Sequence, residues 1–271
     1  MSFYTSLSGL KNAQTDLGVI AHNIANAETT AFKKSKAEFA DLVAGGANTA
    51  PNQVRGIGAT LSGIKQDFGL GAIEQTGTST DFSIIGDGFF ATRNGESGKT
   101  LYTRDGSFGI DGTGYLQDGF NNRIQLFELD AAGAVVNPGT TIDALIPTAN
   151  GAGAALSGVT VEADGRLNAA YTDGTVDTVG RLALASFIAP TGLRQTGSSS
   201  WEATGTSGAP DLGLPGVGQY GNILSGSLER SNVDLAEEMV GLISAQRNFQ
   251  ANAKAIDTAS QLSQTIINLR T

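Results

Sequence analysis

The chain has 271 residues, no cysteine and a formal net charge of −9, with only 17 basic residues scattered along it. Nucleic acid is bound by concentrated Lys and Arg, so this balance excludes nucleic-acid partners and disfavours an anionic membrane surface; the missing thiols exclude disulfides and cysteine catalysis. No apolar run reaches the roughly 20 residues of a membrane span, and Met1 to Gly18 lacks the basic and continuous apolar stretches of a cleaved secretory signal.

Ser2 to Ala31 reads as a first helix. Phe3, Leu10, Leu17 and Ile24 repeat every seventh residue, and Ala13, Ile20 and Ala27 follow three places after the last three of them, which places all seven along one narrow seam. Asn23 and Asn26 are polar positions near its end. Phe32-Lys33-Lys34 opens a stretch through Glu38, Phe39 and Leu42 that reads as a short helix or an extended arm. Gly45 to Gly58, rich in Gly, Asn and Pro, reads as a loop or long hairpin, and Ala59 to Gly77 alternates weakly, as in strands of an elongated arm.

A β region follows. Asp-Gly occurs at 87–88, 105–106, 111–112, 118–119, 164–165 and 173–174, a pair that favours the φ > 0 geometry of tight hairpin turns. Strand candidates between the turns are Phe82–Ile85, Phe89–Thr92, Leu101–Arg104, Ile124–Leu129, Val159–Glu162, Leu167–Thr172 and Arg181–Phe187, which predicts a compact all-β domain. Pro147 to Gly158 is a low-complexity loop, and Thr196 to Gly226 is again rich in Gly and Ser around Trp201.

The last forty residues form a second helix in this reading, uninterrupted after Val233 except by Gly241. Ser231 or Asn232 can cap it, and Asp234, Glu237 and Glu238 suit the positive end of its dipole. Met239, Leu242, Gln246, Phe249, Ala253, Ile256 and Ile267 share its seam. At about 1.5 Å per residue it would span roughly 55 Å and needs a partner. The expected class is therefore α+β: long N- and C-terminal helices paired in coiled-coil fashion, with an all-β domain inserted. The expected domains are a terminal helical domain of residues 1–32 and 231–271, a connecting arm of 33–80 and a β domain of 81–230. The seam residues Leu10, Leu17, Ile20, Asn23, Ile24, Asn26, Met239, Leu242, Gln246, Phe249, Ala253, Ile256 and Ile267 are the candidate subunit interface. Many are too small or polar to stabilise a lone hairpin of helices, and several close neighbours would bury more of each.

No catalytic, cofactor or metal site emerges. Ser97-Gly98-Lys99-Thr100 ends like a P-loop, but the motif's first Gly would fall at Arg93 and strand signals follow, so a hairpin turn is the expectation. Gly216, Gly218 and Gly221 match G-x-G-x-x-G without a helix behind them. The Asp and Gly residues from Asp105 to Asp118 lack the spacing of a calcium loop and fit turns. His22 is the only imidazole, which leaves it a structural or interface role, and no carboxylate pair is set apart as an acid and base.

Ser8-Gly9-Leu10, His22-Asn23-Ile24-Ala25-Asn26-Ala27 and Phe32-Lys33 at one end resemble the bacterial flagellar rod and hook axial proteins. So do Leu228-Glu229-Arg230-Ser231-Asn232-Val233-Asp234-Leu235 and Ala245-Gln246-Arg247-Asn248-Phe249-Gln250-Ala251-Asn252 at the other. Asp81 to Phe90 and Tyr102 to Phe108 extend the resemblance into the β region. Gly63 to Phe68 and Ile266 to Arg270 look nearest to the hook members, though the chain has only Pro147 to Gly158 where hook members carry an outer domain, a length typical of the distal rod. It also has His22 where the family usually has Asn, and Ala31 where it usually has Gly.

The resemblance implies a structural subunit, not an enzyme, that needs no cofactor. It would be exported through the flagellar type III apparatus without a cleaved signal, and would stack into a hollow helical homopolymer whose tube is lined by the paired termini. The expected function is the hook, a flexible universal joint outside the cell; the alternative is the distal rod, a stiff shaft in the basal body. Partners implied by the resemblance are the chain itself, distal rod, hook cap and hook–filament junction proteins and the export apparatus, with no nucleic acid and no membrane insertion. A secreted β-domain adhesin on a helical stalk is the competing class.

Overall fold

A computed structural model of the chain describes residues 2–45, 54–130, 133–137 and 139–268. It is α+β and divides into two compact units, one of Met1–Ala27, Lys34–Asp67 and Val233–Thr271, the other of Glu28–Lys33 and Phe68–Asn232.

The first unit holds helix α1 (Ser2–Ala25), helix α2 (Leu235–Asn268) and a two-stranded antiparallel ribbon of β1 (Ser35–Ala44) and β2 (Arg55–Gln66). Of the stretch expected as a short helix or an extended arm, Ser35 onward is strand. The ribbon belongs with the helices, so the expected connecting arm of 33–80 is shared between the two units. Residues 46–53, within the stretch expected as a loop or long hairpin, lie outside the described residues, as does Arg270, the expected end of the second helix.

α1 stops at Ala25, six residues short of expectation. The Asn26 amide and its side-chain Nδ2 both donate to the His22 carbonyl, and the chain then turns; Ala31 sits at φ +55°, a left-handed conformation that a helix cannot contain. A Gly would occupy that position without strain. α2 is capped by Asp234, whose Oδ1 accepts the Ala236 N–H at 2.8 Å and the Glu237 N–H at 3.2 Å, and not by Ser231 or Asn232. The carboxylate lies at the positive end of the dipole and satisfies two donors that have no partner within the helix.

The helices run antiparallel. A Cβ on Gly9 would meet the Asn252 side chain, one on Gly241 would lie 3.4 Å from Ile20 Cδ1, and Asn23 donates to Glu238 at 3.2 Å. As numbers rise along α1 they fall along α2. Both glycines stand where a larger residue would push the helix axes apart.

The second unit is antiparallel β. Its main sheet runs, in spatial order, through Leu156–Val161, Arg166–Tyr171, Val176–Leu182, Asn122–Phe127, Phe89–Asn94, Thr100–Thr103, Ser200–Glu202 and Arg194–Gly197. Phe82–Ile85 pairs with Asn222–Ser225, and Ile73–Gln75 with Ser227–Glu229. Alternation of side chains across a strand sends consecutive residues to opposite faces. Phe90 therefore joins a core with Phe82, Leu116, Ile124, Leu126, Leu167, Leu182 and Leu184, while Phe89 joins a separate aromatic core with Tyr102, Phe187 and Trp201. The seven expected strands all form, with ends shifted by a few residues and the last divided at Ala183.

Of the six Asp-Gly pairs, Gly88, Gly165 and Gly174 take the expected positive φ, and Gly106, Gly112 and Gly119 do not. At 111–115, 118–122, 130–134, 150–154, 162–166 and 171–175 the first residue's N–H donates to the last residue's carbonyl, and the fourth residue's N–H to the first residue's carbonyl. The fourth residue takes positive φ: Gly114, Asn121, Gly133, Gly153, Gly165 and Gly174. Where all five residues are described, at every site but 130–134, this is the three-residue loop built on a type I turn with a left-handed bulge residue. Gly112 and Gly119, the second members of Asp-Gly pairs, keep ordinary backbone, while their Asp partners accept backbone N–H bonds from two and four residues on. The carboxylates of Asp111 and Asp118 thus hold turns, and Asn94 to Lys99 closes the hairpin that contains the P-loop-like tetrad.

Candidate assembly surfaces and a buried charge cluster

The inward line of α2 is Glu238, Gly241, Leu242, Ala245, Phe249, Asn252, Ala253, Ile256 and Ala259. Of the expected seam, Leu242, Phe249, Ala253 and Ile256 lie on it, half-buried. Met239 is 52% exposed, Ile267 63%, and Gln246 also faces water. The line steps by threes and fours from Leu242 through Ala245 to Phe249, so Ala245, buried to 2%, takes the place expected of Gln246, and Glu238 that of Met239. The step count fell one residue too far at both places, where the inward residues are a methyl group and a carboxylate.

On α1, Ala13, Val19, Ile20 and Asn23 are buried, while Leu10, Leu17, Ile24 and Asn26 are half-covered. Val19 was missed because the seven-residue count passes over it. Asn23 does more than sit in the seam. Its Nδ2 donates to the Ser35 carbonyl at 2.8 Å and its Oδ1 accepts the Ser35 N–H at 2.9 Å, which ties the start of β1 to α1.

Much apolar surface stays open. Val240 and Ile243 on α2, Leu262, Ile266 and Ile267 near its end, and Phe3 and Tyr4 at the start of α1 are exposed. On the ribbon, Phe39, Leu42, Val43, Ile57, Leu61 and Ile64 are exposed as well. A two-stranded ribbon is marginal alone in water, and exposed apolar area on this scale marks surfaces that are covered in an assembly.

In the β unit, three charges meet out of water. Lys33 Nζ lies 2.5 Å from Glu229 Oε1 and donates to the Gly69 carbonyl at 2.7 Å, while the Gly71 N–H donates to the same Oε1 at 2.8 Å. Arg104 Nη1 stands 3.5 Å from Glu229 Oε2, and the guanidinium lies 5.3 Å from the centre of the Phe89 ring. Burial pulls the Arg104 guanidinium below its ordinary value, and the Glu229 and Asp87 carboxylates pull it part of the way back. Nearer the surface Arg230 bridges Glu28 and Glu74. Nothing in the cluster is arranged as a nucleophile with its base; it joins three distant stretches of chain.

Those stretches are the ones that known proteins share. Residues 3–33 match the family profile "Flagella basal body rod protein", residues 83–169 "Flagellar hook protein FlgE/F/G D1 domain" and residues 224–269 "Flagellar basal body rod FlgEFG protein C-terminal". The flagellar basal-body rod protein FlgG of Bacillus subtilis is 34% identical over 281 aligned residues that cover 99% of this chain and 98% of that protein. The chain belongs to the flagellar rod and hook family. FlgG of Agrobacterium fabrum is 32% identical, covering 96% of this chain and 95% of its own length. The flagellar hook protein FlgE of Salmonella typhimurium is 26% identical with both chains covered in full, over 411 aligned positions, so about 140 positions of that alignment have no residue of this 271-residue chain. These relatives are structural proteins of the bacterial flagellum, and rod and hook proteins assemble into its polymeric axial structure.

Lys33, Arg104 and Glu229 fall one in each matched segment. No helix among the described residues is long and apolar enough to cross a membrane.

Proposed function

We propose that the chain is a rod subunit of the flagellar basal body, a stiff drive shaft in the distal rod, rather than the hook that the sequence resemblance put first. The observation that carries this reading is length: the rod relative aligns end to end over 281 positions, whereas the hook relative needs 411. The stretch where hook members carry an outer domain is here a tight turn, with the Asn150 N–H donating to the Ala154 carbonyl at 3.0 Å. Identity points the same way, at 34% against 26%.

In this reading the antiparallel terminal helices, paired in coiled-coil fashion, line a tube. Subunits repeat one heterologous contact that does not close on itself, which generates a helical filament. Met239, Gln246 and Ile267, open to water in the single chain, join Val240 and Ile243 as contacts to neighbouring copies. Leu10, Leu17, Ile20, Asn23, Ile24, Asn26, Leu242, Phe249, Ala253 and Ile256 hold the helix pair that presents them. Export through the type III apparatus without a cleaved signal, and contacts with neighbouring rod and hook proteins, follow from the same assignment.

Complementation tests it. The gene should restore a complete basal body and motility to a bacterium lacking its distal rod protein and leave a hook-protein mutant hookless; rescue of the hook mutant alone would overturn the assignment.

A further inference from the structure

Asn-Gly occurs twice in the chain, at 94–95 and at 150–151, and both pairs open turns of the β unit. An asparagine followed by glycine is open to attack by the glycine's own amide nitrogen, because no side chain shields it. The two asparagines are held alike. Asn94 Oδ1 accepts the Glu96 N–H at 3.2 Å and the Ser97 N–H at 2.9 Å, and its Nδ2 donates to Asn122 Oδ1 at 3.0 Å. Asn150 Oδ1 accepts the Ala152 N–H at 3.0 Å and the Ala154 N–H at 2.8 Å, and its Nδ2 donates to Asp173 Oδ2 at 2.6 Å. The nitrogens that follow them differ. Gly95 N–H donates to the Asn121 carbonyl at 3.0 Å, whereas the Gly151 N–H has no acceptor among the described residues. Gly151 is exposed, with open space where a Cβ would stand.

We propose that Asn150 is a site of spontaneous covalent modification, losing its amide to become aspartate or isoaspartate, and that Asn94 is spared because the nitrogen after it is already bonded. In the reaction Gly151 N gives up its proton to water and bonds to Asn150 Cγ. The Cγ–Nδ2 bond then breaks as Nδ2 takes up a proton and leaves as ammonia. Water opens the resulting cyclic imide at either carbonyl, and nothing is oxidised or reduced. The N–H groups of Ala152 and Ala154 stabilise the charge that Oδ1 gains as the tetrahedral centre forms. Asn94 has donors of the same kind, which leaves the attacking nitrogen as the difference: a hydrogen bond must break first at Gly95 and none at Gly151. The product sets a new negative charge against the Asp173 carboxylate, where an N–H donor stood, and so loosens the contact between the turns at 150–154 and 171–175.

The test is peptide mass spectrometry of the full-length folded protein through days of incubation in mildly alkaline buffer, with the same protein in denaturant alongside. In the folded protein the acid form should accumulate at Asn150 severalfold faster than at Asn94, split between aspartate and isoaspartate, and in denaturant the two rates should converge. Gly151→Ala places a methyl group in open space at ordinary φ, so it should keep the parent melting temperature and lose most of the reaction at Asn150. Equal rates at the two asparagines in the folded protein overturn the site. So does an Asn150 that reacts only in denaturant, or an unchanged reaction in Gly151→Ala.

Discussion

Asn23 and Ser35 exchange two hydrogen bonds, the amide side chain copying the donor and acceptor of a neighbouring strand. The same Nδ2 donates to Glu238, so one buried side chain joins α1, β1 and α2. Asn23→Asp would replace that donor with an oxygen facing a carbonyl and a carboxylate. An unmet buried polar group costs about 1–3 kcal/mol, and like-charge repulsion adds to it. Amides at the start of β1 should lose hydrogen-exchange protection by at least about tenfold, the equivalent of 1.4 kcal/mol. Unchanged protection there would mean the ribbon is held by other contacts.

Removing one partner from the buried charge cluster should cost far more than removing a surface pair. Glu229→Ala takes a buried counter-charge from both Lys33 and Arg104, and breaking such a pair costs about 3–5 kcal/mol. Lys33→Met combined with Glu229→Gln should recover part of that loss, because the uncompensated ammonium is gone. Urea unfolding of the three proteins checks the order. A Glu229→Ala midpoint within error of the parent would show that water reaches the cluster.

The left-handed bulge residue makes opposite predictions for two glycines two residues apart. Gly114 has φ +92°, and a Cβ there would stand 2.4 Å from the Ile146 carbonyl oxygen; Gly112 has ordinary φ and open space. Gly114→Ala should destabilise the β unit by at least about 1–3 kcal/mol through strain and clash, while Gly112→Ala should be neutral or stabilise by about 0.4–1 kcal/mol. Thermal melts of both variants decide it, and equal losses would contradict a left-handed residue at 114 alone.

Asp105 gives the β unit a testable pH dependence. Burial raises its pKa above 3.8, against the lowering effect of the Ser107 N–H and hydroxyl bonds. The folded state thus holds this proton to higher pH than the unfolded chain, and the group's contribution to stability falls as pH rises from 3.8 through the folded value. Asp105→Asn keeps the Oδ1 acceptor for Ser107 and loses the charge. It should be more stable than the parent at neutral pH and no different below 3.8, by denaturant midpoints. The same difference at both pH values would assign it to packing.

The parts of this fold legible in the sequence are those where periodicity reports burial directly. Phe89 and Phe90, Leu167 and Leu182 announced strands, and Leu242, Phe249 and Ile256 announced a seam. What escaped was held by polar chemistry or small residues. Ala245 carries too little hydrophobicity to mark a buried position, and the role of Asn23 depends on Ser35, which no helical period reveals. The end of α1 was misplaced because helix propensity continues through Ala27, whereas the turn is set by Asn26 bonding back to His22. Lys33, Arg104 and Glu229 stood in plain view as charges, a type that is almost never fully buried unless paired, and their pairing spans 196 residues from Lys33 to Glu229. Hook against rod could not be read from motifs that both share; overall length is what supports the rod in the proposed reading.

Electron microscopy of the purified protein, with Phe249→Asp alongside, tests the central claim most directly. A rod subunit should assemble into straight, stiff hollow tubes. Phe249→Asp, which places a carboxylate in the seam between α1 and α2, should abolish them while the melting temperature of the β unit stays at the parent value. Curved or supercoiled tubes from the parent protein would contradict the rod assignment in favour of the hook, and a closed small oligomer with no tubes at any concentration would contradict the axial polymer itself.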